Sequence, residues 1–155
     1  MRLTRQTNYA IRILMYCAAN RGALSRVPEI ARSYGVSELF MFKILPPLVE
    51  AGLIETVRGR KGGLRLAKSA DAITLYDVVS VTEESFTMAD CFDPDGPDCP
   101  LIDGCALNRT LSKALNAFFD VLRAHTIADL TPSRPALRML LAIDAEPLGA
   151  AATAA

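Results

Sequence analysis

The 155-residue sequence predicts a mainly α-helical fold that carries one small β-hairpin. Three observations predict it: two short helical patterns around a glycine turn, two β-prone segments around a basic turn, and a long amphipathic pattern further on. The first two are typical of a winged helix-turn-helix, and the third of a dimerisation helix. We divide the chain into a winged helix-turn-helix at 1–70, a cysteine-bearing loop and dimerisation helix at 71–130, and a partly disordered tail at 131–155.

The helix-turn-helix prediction depends on two helical patterns that follow the first amphipathic helix of the chain. Residues 25–34 predict a helix with Pro28 in its first turn, and Gly35 ends it. Ser37 is a suitable N-cap for the next helix, which is predicted over residues 38–51. A helix, a short glycine turn and a second helix in this order predict a helix-turn-helix.

Two further expectations concern the first and third helices. Cys17 lies on the apolar face of the first helix, where we expect a small buried core residue. Pro46 and Pro47 lie inside the third helix, where each removes a backbone donor. We therefore expect a kink or an early end of that helix.

The β-hairpin is predicted between residues 53 and 67. Residues 53–57 are β-prone, residues 58–63 form a basic glycine-rich turn, and residues 64–67 alternate between apolar and polar. A positively charged hairpin that follows a helix-turn-helix is typical of the wing of a winged helix.

A strong charge asymmetry is hidden by the net charge of zero. Residues 1–70 hold 12 Lys and Arg against 4 Asp and Glu, a difference of +8, whereas residues 71–155 hold 5 against 13, a difference of −8. The first part therefore suits a polyanion such as double-stranded DNA, and the second does not. There is no apolar run long enough to span a membrane and no apolar signal segment, so we expect a cytoplasmic protein.

Candidate DNA-contacting residues lie on the third helix and on the wing. They are Ser37, Glu38, Leu39, Phe40, Lys43, Arg58, Arg60, Lys61 and Arg65. The exposed face predicted for the third helix is poor in bidentate hydrogen-bond donors. We therefore expect base recognition through thymine methyl groups and DNA shape.

Three of the four cysteines fall within fifteen residues, at the spacing C-x7-C-x5-C. Cys91, Cys99 and Cys105 are separated mainly by Asp, Pro and Gly, which favour loops, so we expect the three thiols to converge. Soft thiolates select iron–sulfur clusters, zinc or copper(I). The spacing lacks the close pair usual in zinc fingers, whereas a cluster tolerates wider gaps. A cluster, a structural zinc completed by His125, and a disulfide or idle thiols all stay open.

The long amphipathic pattern covers residues 106–124 and begins directly after Cys105. Its apolar residues are spaced by four, four, three and four positions, which gives one seam along a helix. They are Leu107, Leu111, Leu115, Phe118 and Leu122. We expect this seam to pack against a second copy of the chain, or in part on its own domain.

The end of the chain predicts little regular structure. Thr126 and Asp129 cap a short turn, a weak helix is predicted between residues 132 and 143, and residues 146–155 form an Ala-rich tail that we expect to be disordered. The sequence has no catalytic Ser–His–Asp set, phosphate-binding glycine loop or C-x-x-C motif. We therefore expect the protein not to be an enzyme.

Several motifs resemble those of the Rrf-two family of bacterial winged-helix regulators, over roughly residues 1–130. The wing and the three cysteines ahead of a long helix carry this resemblance, together with the N-terminal MRLT. Three further segments resemble the iron-responsive members of the family: QTNYA at 6–10, VSELF at 36–40 and KIL at 43–45.

This resemblance implies a homodimeric repressor that binds a palindromic DNA operator. It implies that Cys91, Cys99 and Cys105 ligate an iron–sulfur cluster, [4Fe–4S] in preference to [2Fe–2S], and that the labile cluster reports iron. Nitric oxide or redox state is the alternative signal. The matching fourth-ligand position is Asn8, a poor neutral ligand, so water or a loop carboxylate is an alternative. The candidate loop carboxylates are Asp90, Asp93 and Asp98.

Overall fold

The computed structural model describes residues 2–20, 23–93, 95–96 and 99–143. Within them it confirms a mainly α-helical fold with one two-stranded hairpin. The elements in chain order are α1 (Arg5–Ala19), α2 (Val27–Tyr34), α3 (Glu38–Glu50), β1 (Ile54–Val57), β2 (Gly63–Leu66), α4 (Leu75–Thr82), α5 (Ala106–Ala124) and α6 (Arg134–Leu140). Single 3-10 turns lie at Ala70–Ala72, Asp90–Phe92 and Ile102–Gly104.

The helix-turn-helix forms largely as the capping residues predict. Ser37 Oγ accepts a hydrogen bond from the backbone N–H of Phe40 at 3.3 Å, which confirms Ser37 as the N-cap of α3. Gly35 ends α2 with a φ of 64°, a left-handed conformation that favours glycine. The predicted start of α2 at Ser25 is wrong. Ser25 instead exchanges two backbone hydrogen bonds of 2.8 Å with Leu64, so it belongs to an extended segment beside the hairpin.

Of the two outcomes expected at the prolines of α3, a kink or an early end, the early end is wrong. The helix continues through Pro46 and Pro47 to Glu50. Buried side chains lie on both sides of the prolines, so tertiary packing holds the helix together despite the two missing donors. These buried residues are Met41, Ile44, Leu45 and Leu48.

The hairpin confirms the predicted wing. Its antiparallel register pairs Ile54 with Leu66 and Val57 with Gly63, and the basic turn joins the two strands. Leu64 is buried, and its antiparallel backbone bridge with Ser25 fixes the hairpin to the segment before α2. A side chain on Gly63 would lie 2.7 Å from the carbonyl oxygen of Ser25, so this close approach requires glycine. The wing is therefore anchored directly beside the helix-turn-helix.

The core surrounds α1, which packs against α3, α4, β2 and α6. Its largest fully buried side chains come from most elements of the chain: Tyr16, Ile13, Leu14, Ile30, Met41, Ile44, Leu48, Ile54, Ile73, Ile127, Val78 and Val79. Cys17 belongs to this core, as predicted, and is 2% exposed. Burial raises the pKa of its thiol to about 12, so the group is neutral near pH 7.

Residues 131–143 do not form a tail, contrary to the predicted division. The weak helix predicted there is confirmed as α6, which packs on α1. The Ser33 hydroxyl donates a 2.7 Å hydrogen bond to the carbonyl of Leu141, and Arg138 donates to the carbonyl of Ala19 at 3.0 Å. Leu141 itself is buried, so this segment completes the core of the N-terminal part. The Ala-rich tail predicted at 146–155 lies outside the described residues.

Candidate functional site

The N-terminal half of α3 presents most of its predicted residues to the surface. Ser37, Glu38 and Lys43 are exposed, and the Leu39 side chain is 76% exposed. Phe40 differs, because it is half-buried and its ring packs edge-on against Tyr9 of α1 at a centroid distance of 5.3 Å. Phe42, a large exposed residue at 54%, is not among the candidates predicted from the sequence. The exposed surface of this half of α3 therefore combines two large apolar side chains, Leu39 and Phe42, with one anion, Glu38, and one cation, Lys43.

The basic turn of the wing is exposed, and the cations of the wing differ in whether a carboxylate pairs with them. Arg58, Arg60 and Lys61 have no ion-pair partner within the part of the chain that the structure describes. Arg65 instead forms a bidentate salt bridge with Glu55 on the neighbouring strand, with N–O distances of 2.9 Å. The hydrogen bond from Arg65 lowers the pKa of Glu55. The positive charge of Arg65 is thus partly balanced, whereas the three turn cations are not.

Two of the three cysteines meet on one residue of α5. Cys105 is the N-cap of α5, and its Sγ accepts a hydrogen bond from the backbone N–H of Asn108 at 3.4 Å. The side-chain amide of Asn108 donates to Cys91 Sγ at the same distance. The expected position of Cys105 directly before α5 is confirmed. Sequence reasoning missed Asn108, although its place three residues after a cysteine N-cap is a usable signal.

The convergence of all three thiols is not seen in the structure. Cys99 is half-buried between two 3-10 turns, at Asp90–Phe92 and Ile102–Gly104, which replace the expected loop in part. Across residues 2–20, 23–93, 95–96 and 99–143, no group of three His, Cys, Asp or Glu side chains is arranged to hold a single metal ion. Cys91 and Cys105 nevertheless share one anchor.

The donor chemistry of this segment fits an iron–sulfur cluster. Cys91, Cys99 and Cys105 are all half-buried, which gives soft sulfur donors partial shelter from solvent. Cys105 lies at the N-terminus of a 19-residue helix, an end where backbone N–H groups and the helix dipole favour a negatively charged ligand. A cluster is wider than one ion, so it does not require the sulfurs to lie as close together as a zinc site does.

The zinc set completed by His125 of the same chain is wrong. His125 is the C-cap of α5 and Cys105 is its N-cap. At about 1.5 Å per residue, a helix of this length separates its ends by roughly 28 Å. Two ligands of one ion cannot lie so far apart.

The structure places the described candidates for the fourth ligand on the surface. Asn8 is exposed in α1, whose first turn is joined to the end of α4 by a 2.8 Å hydrogen bond between Thr7 and Thr82. Asp90 and Asp93 are also exposed, and the carboxylate of Asp93 accepts a hydrogen bond from the backbone of Asp95. Asp98 lies outside the described residues.

The solvent exposure of the predicted apolar seam on α5 falls from its N-terminal to its C-terminal end. Leu107 is 62% exposed, Leu122 is 8% exposed, and Leu111, Leu115 and Phe118 lie between these limits. The α5 helix is fixed to its own chain by Phe119, whose ring packs edge-on against Tyr76 and Phe86 at 5.4 and 4.8 Å. The part of the seam near the cysteines is thus uncovered within one chain. No helix among the described residues is long and apolar enough to cross a membrane.

The chain is similar to known transcriptional regulators over most of its length. The profile of the Rrf2 family, described as an iron-dependent transcriptional regulator, matches residues 3–133. Protein aau3 of Rhizobium meliloti (strain 1021) is 65% identical over 144 residues, which cover 93% of this chain and 94% of that protein. The HTH-type transcriptional regulator NsrR of Geobacillus kaustophilus (strain HTA426) is 42% identical over 142 residues, which cover 91% of this chain and 97% of that protein.

Solved structures agree with the fold. CymR, the global cysteine regulator of B. subtilis, superposes with a TM-score of 0.69 at 27% sequence identity. The match covers 85% of this chain and 97% of that one.

Proposed function

Because the chain belongs to the Rrf2 family of DNA-binding transcriptional regulators, which are not enzymes, we propose that it is a repressor that senses iron. It binds a double-stranded DNA operator as a homodimer while Cys91, Cys99 and Cys105 hold an iron–sulfur cluster. The observation that carries this proposal is the meeting of Cys91 and Cys105 on Asn108, at the N-terminus of α5. Through Asn108, the cysteine segment that is the candidate sensor is bonded to α5, the candidate dimerisation helix. A cytoplasmic location follows from a role on DNA.

The contacts with DNA are assigned to α3 and the wing. In a helix-turn-helix the N-terminal residues of the second helix reach base edges in the major groove. Here those residues are Glu38, Leu39 and Lys43, with Ser37 at the cap. Because Leu39 and the neighbouring Phe42 are apolar, thymine methyl groups and DNA shape are the expected determinants. A selected operator that is rich in G·C at the centres of its half-sites would argue against this.

The wing supplies interactions that depend little on sequence. Arg58, Arg60 and Lys61 are exposed and carry charge that no carboxylate in the described ranges balances, so they suit phosphates or the minor groove. Arg65 is a weaker candidate because Glu55 already binds its guanidinium. We assign it the role of stiffening the hairpin, with a phosphate contact as its second role.

The sensor is assigned to the segment from Cys91 to Cys105. Its thiolates would hold the cluster, [4Fe–4S] in preference to [2Fe–2S], with Asn8, a loop aspartate or water in the fourth position. Bound there, the cluster would supply sensitivity to iron, because iron without a strong protein ligand is readily released. When the cluster is absent, this Asp-, Pro- and Gly-rich segment has little apolar surface to bury, and so the base of α5 loosens.

A change at the base of α5 would reach DNA through the dimer. The seam from Leu107 to Phe118, which is exposed at its start and half-buried further along, is assigned to a second copy of the chain. A symmetric dimer reads two half-sites only at a fixed spacing of its recognition helices. Loosening α5 would change that spacing and release the operator.

The test is anaerobic purification followed by visible absorption spectroscopy and an operator-binding assay on the same sample. A broad visible band together with tight operator binding is the expected result. A colourless protein that contains stoichiometric zinc and binds the operator would refute the iron sensor and favour a structural metal. Loss of binding after nitric oxide treatment, with no response to iron chelation, would identify the alternative signal.

A further inference from the structure

A ladder of stacked arginine and aromatic side chains covers the junction of α1 with the helix-turn-helix. It consists of Arg5, Tyr9, Arg12, Tyr34 and Phe40. The Arg5 guanidinium lies 4.7 Å from the centroid of the Phe40 ring and 5.5 Å from that of Tyr9. The Arg12 guanidinium lies 5.0 Å from the ring of Tyr9 and 5.6 Å from that of Tyr34. The arginines alternate with the rings along the surface.

The ladder lies on both sides of the turn that defines the motif. Tyr34 is the last residue of α2, and Phe40 lies in the first turn of α3. The Tyr34 hydroxyl also donates a 2.9 Å hydrogen bond to the carbonyl of Arg12. The two guanidiniums are therefore held beside the N-terminus of the recognition helix. That end of the helix enters the major groove in this class of motif, so phosphates of the groove wall pass close to it.

The charge of both arginines is available. Ion pairs elsewhere in the described chain neutralise Arg65 through Glu55 and Arg123 through Asp120, but Arg5 and Arg12 have no such carboxylate there. Both are exposed on their outer side. Stacking on rings restricts their rotamers before any ligand binds, which lowers the entropy cost of binding a phosphate. An arginine fork also matches the geometry of phosphate oxygens.

We infer that Arg5 and Arg12 form a second phosphate-binding site for operator DNA, separate from the wing and held in place by Tyr9, Tyr34 and Phe40. This inference rests on the proposed function. It assigns Phe40 a positioning role beneath Arg5 rather than a direct base contact. Sequence reasoning missed both arginines, although the spacing Arg5–Tyr9–Arg12 places all three side chains on one helical face.

The first test measures operator affinity against salt concentration for Arg5→Gln and Arg12→Gln. Each variant should bind several-fold more weakly, and the slope of log affinity against log salt should become shallower by about one unit for each phosphate interaction that the substitution removes. The preference for operator over scrambled DNA should stay unchanged, since phosphates carry no direct sequence information. The matched control is Arg123→Gln, which removes an arginine stacked 4.1 Å from the centroid of Tyr76 in the acidic half.

Phe40→Leu separates positioning from charge. It removes the ring beneath Arg5 but leaves both guanidiniums, so affinity should fall while the salt slope stays near that of the wild type. A purely structural role would instead lower the thermal unfolding midpoint and leave the affinity of the folded protein unchanged. That result would overturn the inference. Unchanged salt slopes in both Gln variants, measured alongside a wild type that binds the operator, would overturn it as well. A cluster-loaded wild type that fails to bind any operator overturns the proposed function itself.

Discussion

The side-chain amide of Asn108 donates a 3.4 Å hydrogen bond to Cys91 Sγ, across a separation of 17 residues in sequence. The backbone N–H of the same residue donates to Cys105 Sγ, which also caps α5. Asn108 therefore joins the two ends of the cysteine segment to the first turn of the long helix. The cysteine segment is thus bonded to the base of α5 through one residue.

Replacing Asn108 with Ala should make the proposed cluster dissociate more easily. The substitution removes the hydrogen bond to Cys91 but keeps the backbone N–H that caps α5, so helix content should stay unchanged. The half-time of visible bleaching under a fixed chelator concentration should shorten several-fold. Asn116→Ala, an exposed substitution on the same helix, is the control and should bleach at the wild-type rate. Equal rates in all three proteins would show that Asn108 does not stabilise the cluster.

The wing prediction concerns Arg58 and Lys61. Arg58→Ala and Lys61→Ala should each weaken operator binding and make the salt dependence shallower by about one unit of slope. Arg65→Ala should have a smaller effect on the slope, because Glu55 already balances part of its charge. Titrations at several salt concentrations give these slopes. Wild-type affinity and slope in both turn variants would exclude the wing from the DNA interface.

Dimer formation through the apolar seam of α5 can be tested by introducing two carboxylates into it. Leu111→Asp combined with Phe118→Asp would bury carboxylates in an apolar interface, at a cost of several kcal/mol. Because both side chains are only half-buried within one chain, the protomer should stay folded. Sedimentation should show a monomer with a native circular dichroism spectrum. An unchanged dimer would mean that the copies meet through another surface.

The buried thiol of Cys17 predicts a loss of stability in alkali. Burial raises its pKa from an ordinary value near 9.0 to about 12, so between these limits the unfolded chain releases a proton that the folded chain retains. Stability is thus fully present below pH 9 and falls as pH rises toward 12. Urea midpoints measured from about pH 7 to about pH 10.5 should fall more steeply for the wild type than for Cys17→Ala.

Tyr34 contributes in the same direction, because burial raises its pKa to about 12 as well. Tyr34→Phe should therefore remove a separate part of the alkaline slope. Parallel pH profiles for the wild type and Cys17→Ala would contradict a buried, neutral thiol.

Local chemistry made part of this fold predictable. The cap at Ser37 and the run from Ala106 to Ala124 are signals that lie within a few residues of the helix they start or form, and both are confirmed. Interactions between distant segments gave no such signal. The bridge from Ser25 to Leu64 and the burial that keeps α3 continuous at its prolines exist only after the chain has folded.

The candidate site shows the same limit. Its cysteine spacing and the place of Cys105 before a helix are visible in the sequence, but the hydrogen bond from Asn108 to Cys91 joins separate segments. The pairing of Arg65 with Glu55 depends on the register of the hairpin, and the stacking of Arg5 on Phe40 depends on how α1 packs against α3. None of these interactions follows from composition or periodicity.

Control of DNA binding by the cysteine segment, in response to iron, can be measured directly. An anaerobic, cluster-loaded sample is titrated with an iron chelator while operator binding is followed by fluorescence anisotropy. An iron switch predicts that operator binding falls in parallel with the visible absorption, and that Cys91→Ala, Cys99→Ala and Cys105→Ala proteins fail to repress. Operator binding that survives complete bleaching, or normal repression by these variants, would contradict it.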